Sequence, residues 1–287
     1  MPELPEVETI RRDLEKKIIG KKILEVKIRK KKMVKGSYSD FRKSVFSGSF
    51  REVSRRGKLL IFSLENLDKF LLLHLKMTGQ LIYRSPSSKI TAGGHSEEKT
   101  DFNLPNKYSH IFFCFKDGSH LFFNDQRQFG YVKIANKKEL DEVLDKFGIE
   151  ALDESFAVEK LEKILQKRTK NIKAVLLDQT LIAGIGNIYA DEILFASKIL
   201  PDRAANTLRS KEKEALLRET KNILKRAIKK RGTTFNNYLD ADGNKGNFLK
   251  ELQVYQREGE RCFVCGEIIQ KAKVAGRGTR FCPSCQG

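Results

Sequence analysis

No apolar run in this sequence is long enough to cross a membrane; the longest, Phe70 to Leu75, is strand-sized. The N-terminus is polar and charged, which excludes a secretory signal and points to a cytoplasmic protein. Acidic residues are scarce beside basic ones, 37 Asp+Glu against 56 Lys+Arg, giving a formal net charge of +19. An excess of that size fits a polyanionic partner, most directly nucleic acid. Only five cysteines occur, and four crowd the C-terminus. That clustering fits a metal site better than a disulfide scaffold. No internal repeat is present. Serine, cysteine and lysine contexts supply no obvious activated nucleophile, which turns attention to the chain terminus.

The chain begins Met1-Pro2-Glu3-Leu4-Pro5-Glu6. Removal of Met1 exposes a secondary amine on Pro2 beside the carboxylate of Glu3. A free α-amino group titrates near about 8, so a useful fraction is nucleophilic at neutral pH. Attack on an aldehyde carbon gives an iminium with no N–H to lose. The chemistry usual for lysine Schiff bases then becomes available without a buried lysine.

With 287 residues and 40% hydrophobic content, the chain can form more than one packed domain. Pro5 to Ile19 reads as a helix, with Val7, Ile10, Leu14 and Ile18 on one stripe. From Lys21 to Ile134 short apolar runs alternate with turns, among them Asp117-Gly118, and predict two packed sheets. Residues 85–107 carry no clear element and read as a mobile loop. After Ala151 the period becomes helical. Helices are expected over 155–166, 171–179, 187–199 and 208–231. The last is rich in Lys and Arg, most of which fit a solvated face.

The spacing Cys262-x2-Cys265-x16-Cys282-x2-Cys285 matches a four-thiolate zinc site, closed and therefore structural. Between the pairs, glycines flanking Arg277 describe a hairpin tip that presents a guanidinium suited to clamping phosphate. Ala183-Gly184-Ile185-Gly186-Asn187 reads as a tight turn into a helix, with Asn187 as N-cap and exposed N–H groups as an anion site. Tyr189 takes the last glycine position of a dinucleotide fingerprint, which disfavours that fold. Arg55-Arg56-Gly57-Lys58 is either a basic hairpin corner or a source of a lysine near Pro2. The turn Asn124 to Gly130 offers Arg127 and Phe129, an arginine and an aromatic that can enter a duplex and replace an extruded base. Cys114 reads as a buried core thiol.

Together these motifs resemble the formamidopyrimidine-DNA glycosylase family of bacterial base-excision repair. The likeness runs nearly end to end: Pro2 to Thr9, the Lys58 strand, His74 to Gly79, Asp125 to Gly130, Gly184 to Glu192, Glu251 to Tyr255 and the zinc hairpin. Leu4 favours this branch over the endonuclease-VIII-like branch. The resemblance implies an α+β multidomain fold: an N-terminal β-sandwich with a leading helix, a helix-two-turn-helix domain and a four-cysteine zinc finger. The corresponding boundaries are 1–134, a linker over 135–152, 153–252 and 253–287. It implies a monomer acting on damaged double-stranded DNA, with one structural Zn2+. Pro2 would be the nucleophile at C1′, Glu3 a proton donor during base loss and sugar opening, Lys58 the donor for β-elimination and Arg277 that for δ-elimination. Because a guanidinium holds its proton so firmly, phosphate clamping suits Arg277 better. Met77, Arg127 and Phe129 would fill the void left by the flipped base. Tyr108, Arg168, Lys173 and Asn187 would contact DNA. Tyr108 stands where a histidine is usual, with His110 following in register. Gln128 replaces a basic residue, and the 85–107 loop is longer than typical. The implied activity is removal of oxidised purines followed by strand cleavage. The rival readings are an oxidised-pyrimidine glycosylase, a non-catalytic zinc protein binding nucleic acid, and a proline-based tautomerase.

Overall fold

The computed structural model describes all residues except 47, 66–67, 87–89, 96–103, 234–237 and 240–245, and the side chains of 90–95 and 238–239. Two compact units emerge: residues 1–145 with 230–249, and residues 146–229 with 250–287. Residues 230–249, inside the span 153–252 expected to form one domain, group with the first compact unit. Thr233 N donates to the Glu6 carboxylate at 2.8 Å, and Tyr238–Leu239 pairs with Ile90–His95, which ties 230–249 to the first unit.

The first unit opens with the helix Leu4–Ile18. Pro5 sits in its first turn, where a missing N–H costs nothing. Val7, Ile10, Leu14 and Ile18 are all buried against the sheets, as their spacing requires. One sheet has five strands, in the order Val34–Lys35, Tyr131–Asn136, Lys69–His74, Leu59–Leu64, Phe50–Arg56. The other has six: Ile23–Ile28, Ser109–Phe115, His120–Asp125, Gly79–Arg84, Ile90–His95, Tyr238–Leu239. Alternation decides which side chains enter the shared core. Ile111, Phe113 and Phe115 point inward, and Phe50 meets Phe62, Phe113 and Phe115 with ring centroids 5.3, 5.8 and 6.4 Å apart. Phe112 and the half-buried Cys114 face the other way, under Leu104 and beside Phe122. Each buried phenylalanine contributes roughly 1.5–3 kcal/mol, so this inward row is a main source of the sandwich's stability.

The strand Ile90–His95 corrects the structureless reading of 85–107; the remainder of that segment is described only at 85–86 and 104–107. Its run of small residues, Thr91 to Gly94, hides the alternation that marks a strand. The helices Tyr38–Val45 and Lys137–Leu144 also went unread in the sequence. Each is only eight residues long, and each starts at a side-chain cap, Ser37 accepting from Asp40 N at 3.2 Å and Asn136 from Glu139 N at 2.9 Å.

In the second unit the helices are Val158–Leu165, Ile172–Leu177, Asn187–Ala196 and Ser210–Lys229, each within the expected span. Leu216, Thr220, Ile223, Leu224 and Ala227 form the buried stripe of the longest helix, which leaves its basic residues on the outer face. The unit ends in the hairpin Gln270–Val274 and Arg277–Phe281. Among the described residues, no helix is long and apolar enough to cross a membrane.

Candidate catalytic and nucleic-acid-binding sites

The chain terminus lies in a buried, charged setting. Pro2 is buried, and Glu3, Glu6 and Lys58 are only 2%, 2% and 6% exposed. Lone charges do not survive such burial, so their convergence is what permits it. Burial holds the terminal amine, here on Met1, below its usual 8.0; Glu3 and Glu6 pull it up, and Lys58 pushes it down further. All three side chains therefore act on one amine. Glu3 precedes the helix, and its N–H donates to Glu6 Oε2 at 2.8 Å. Glu6 Oε1 accepts from Thr233 N. A Cβ at Gly232 would lie 2.7 Å from that same Oε1, and the residue's φ is +83°, so only glycine fits there. Lys58 enters from the turn Gly57-Lys58, closed by the pair Arg56–Leu59, where Gly57 has φ 54°. Positive φ at the first turn position alone describes a II′ hairpin and explains the glycine. Arg55 is not a phosphate ligand in waiting, because its Nε donates to Glu8 at 2.8 Å.

A second group of residues forms two turns laced together. The Thr78 hydroxyl donates to Asp125 Oδ1 and accepts from Arg127 N at 3.0 Å. Asp125 Oδ2 accepts from Gly130 N at 2.7 Å. A Cβ on Gly130 would sit 2.6 Å from the Phe123 ring and 3.0 Å from that carboxylate. On this frame Met77 and Phe129 stand 39% and 54% exposed, large apolar side chains held out in solvent. The Arg127 guanidinium lies 4.7 Å over the Phe129 ring. Gln128, with φ 55°, turns the backbone between them. Tyr108 is half-buried and its carbonyl accepts from Asp125 N at 3.1 Å. His110 is 2% exposed and bonds the Asp125 carbonyl at 2.8 Å, which makes it part of this frame and not a surface contact.

In the second unit, Gly184 has φ 107° and the turn is shaped by Gln179, whose side chain donates to Ile185 O at 2.9 Å and accepts from Gly184 N at 2.9 Å. Gln179 was not singled out from the sequence. Gly186 is the N-cap, so Asn187 is the first helical residue, correcting its expected cap role. Its Nδ2 donates to Gly278 O at 3.1 Å, while its buried Oδ1 has no partner among the described residues. Arg168 is half-buried, and its Nε likewise has no partner among the described residues.

Lys173 departs from expectation. It is 0% exposed, and its ammonium donates to Asp191 Oδ1 at 2.6 Å and Thr279 Oγ1 at 2.7 Å. A phosphate cannot reach a side chain so committed, and its expected role as a DNA contact is corrected to a structural one. Burial pushes the Asp191 carboxyl up to about 6 against the pull of Lys173 and of the Arg280 N–H. The neighbouring Glu192 is buried and accepts the N–H groups of Gln253, Val254 and Tyr255 at 2.8, 3.0 and 2.9 Å. These bonds fasten the 251–255 stretch to the helix that begins at Asn187. Arg277 is exposed at the hairpin tip, which turns through Ala275 and Gly276 at φ 53° and 70°. Positive φ at both positions defines a I′ turn.

The four thiols of Cys262, Cys265, Cys282 and Cys285 lie within 4.8 Å of one another. Two Sγ···Sγ separations are 3.9 and 3.4 Å. Tetrahedral zinc with bonds of about 2.3 Å requires edges of roughly 3.8 Å, so the cluster fits the ion. Burial and the other three thiols raise Cys285, while Cys262, despite burial, is drawn down to about 7 by N–H groups of Cys265 and Val264. Thiols that hinder one another's ionisation in this way are stabilised together by a cation.

Comparison with known proteins places this architecture among DNA glycosylases. Three family models match in order: Formamidopyrimidine-DNA glycosylase N-terminal domain over 1–132, Formamidopyrimidine-DNA glycosylase H2TH domain over 147–238, and Zinc finger found in FPG and IleRS over 259–287. Formamidopyrimidine-DNA glycosylases of Pelotomaculum thermopropionicum and Desulfitobacterium hafniense are 40% and 41% identical, covering 100% of this chain and 99% and 100% of theirs. A Lactococcus lactis Fpg solved with DNA containing an abasic site superposes with TM-score 0.88 at 37% identity over 99% of both chains. The wild-type Lactococcus lactis protein with N7-benzyl-Fapy-dG DNA gives 0.87 at 38% over 99% of both. The chain belongs to the formamidopyrimidine-DNA glycosylase family.

Proposed function

We propose that this protein excises oxidised purines from duplex DNA and then cleaves the strand at the resulting sugar. The observation that carries the reading is the convergence of the buried Glu3, Glu6 and Lys58 on the terminal amine, next to the buried Pro2. After Met1 removal, the Pro2 nitrogen attacks C1′ of a flipped nucleotide and the glycosidic bond breaks, the base leaving with the proton that the attacking amine gives up. Glu3 protonates the ring oxygen as the sugar opens to an iminium. The iminium acidifies C2′; loss of that proton expels the 3′ phosphate, with Lys58 moving the proton. A further elimination expels the 5′ phosphate. Amine attack on C1′ requires extrusion of the nucleotide from the stack. Met77, Arg127 and Phe129 then fill the gap, with Tyr108 alongside.

In the second unit Asn187, Arg168 and Arg277 bind backbone phosphates, and the zinc, when bound, holds the shape of the module that carries Arg277. As functional divisions we keep 1–134 as catalytic, 135–152 as linker and 253–287 as the zinc module, with 230–249 returned to the catalytic unit. Such a monomeric enzyme works in the cytoplasm on nucleoid DNA. The test is excision from paired duplexes bearing 8-oxoguanine or thymine glycol. Faster release of 8-oxoguanine is expected; preference for thymine glycol would move the protein to the pyrimidine branch.

A further inference from the structure

The buried pair Lys173–Asp191 lies outside the chemistry just described, yet its bonds lead to Arg277. Asp191 uses both oxygens: Oδ1 takes the Lys173 ammonium at 2.6 Å and Oδ2 takes the Arg280 N–H at 3.0 Å. Lys173 also donates to Thr279 Oγ1, whose hydroxyl donates to the Arg277 carbonyl at 3.1 Å. One residue along, Gly278 O accepts from Asn187 Nδ2. Thus three consecutive residues after Arg277 are fastened to the two helices Ile172–Leu177 and Asn187–Ala196, and Asp191 is the carboxylate at the centre. Thr279 is 0% exposed and Asp191 1%, whereas Arg277 and Gly278 are exposed. The fastening is internal, and what it presents is external.

We propose that Asp191 is a positioning residue for phosphate recognition: by gripping the hairpin directly at Arg280 and, through the Lys173 ammonium, at Thr279, it holds the Arg277 guanidinium and the Asn187 amide as one pincer on the DNA backbone. This rests on the reading of Arg277 and Asn187 as phosphate-binding groups. Lys173, Glu192 and Arg280 are the charged groups facing Asp191. An apolar or simply well-packed core at this point would give the same stability, since a buried ion pair is weak evidence for a gain in stability. Its two-sided geometry is what an apolar pair could not reproduce.

The readout is the dependence of affinity on salt, because each phosphate neutralised contributes close to one unit to the slope of log K against log[salt]. Loss of stability alone lowers the active fraction and leaves that slope intact. The measurement is fluorescence anisotropy of the full, zinc-loaded chain on a duplex carrying a tetrahydrofuran abasic analogue, over a series of KCl concentrations. Asp191→Asn keeps the size but opposes one donor with another. Thr279→Val removes only the hydroxyl, and serves if the first variant does not fold. Both are expected to flatten the slope, by at most about one unit, and to add nothing to the flattening produced by Arg277→Ala. If Arg277→Ala flattens the slope and the two variants do not, or if their effects add to it, Asp191 does not position Arg277. If Arg277→Ala itself leaves the slope unchanged, the phosphate reading fails and this proposal falls with it.

Discussion

The Thr78 hydroxyl stands between the Asp125 carboxylate and the Arg127 N–H, joining the turn that carries Met77 to the turn that carries Arg127 and Phe129. Three side chains expected to enter the duplex are therefore set by one buried acid and one hydroxyl. Thr78→Val leaves the Arg127 N–H with a single acceptor, Asp125 Oδ1 at 3.2 Å. A lost hydrogen bond of this kind is worth about 1 kcal/mol. Excision of 8-oxoguanine from duplex DNA should fall roughly fivefold to tenfold, since about 1.4 kcal/mol is a factor of ten. Cleavage of an abasic site in single-stranded DNA, which has no stack to fill, should change little. Equal losses on both substrates would contradict the role given to the two turns.

His74 supplies a pH test. Burial, with Lys76 and Lys58 nearby, lowers it from 6.5 to about 3, and its Nδ1 accepts from Lys76 N at 3.0 Å. Above pH 6.5 neither folded nor unfolded chain protonates this ring. As pH falls below 6.5 only the unfolded chain takes up the proton, so stability declines until about pH 3, where both states are protonated. The decline approaches about 1.4 kcal/mol per pH unit for one such group. His110 and His120 are also lowered, by burial first, and add in the same direction. Urea midpoints between pH 7.5 and 5 should fall for the native sequence and fall less for His74→Gln. An equal fall in both would show that His74 is not the half-buried neutral ring described.

The zinc site predicts one equivalent of metal per chain by atomic absorption. Cys282→Ser, at a position 0% exposed, should bind substoichiometric zinc and lose affinity for abasic duplex, because the hairpin bearing Arg277 is then no longer held. Full zinc occupancy in that variant would contradict a four-thiolate site.

Much of this was legible in the sequence because the signals were local. The two CxxC pairs, the leading helix stripe and the short apolar strands each carry their own periodicity or spacing. The hairpin tip at Arg277 was readable because positive φ wants glycine, and Gly276 supplies it. What escaped depends on partners far away in the chain. Lys173 looks like any surface lysine until Asp191 and Thr279, 18 and 106 residues distant, are folded against it. Gln179 is a common polar residue that becomes the template of the Gly184 turn only in three dimensions. The return of 230–249 to the first unit rests on partners far back in the chain, Thr233 N on Glu6, Arg231 on Asp13 and a short strand pair, which no composition shift announces.

The central claim concerns one atom, the amine of Pro2. Borohydride reduction during reaction with an 8-oxoguanine duplex should convert the Schiff base into a stable protein–DNA adduct, and peptide mass spectrometry should place it on Pro2. Protein retaining Met1, verified by intact mass, should give no adduct at that residue. A trapped adduct mapped to a lysine, or equal trapping with Met1 in place, would contradict the account.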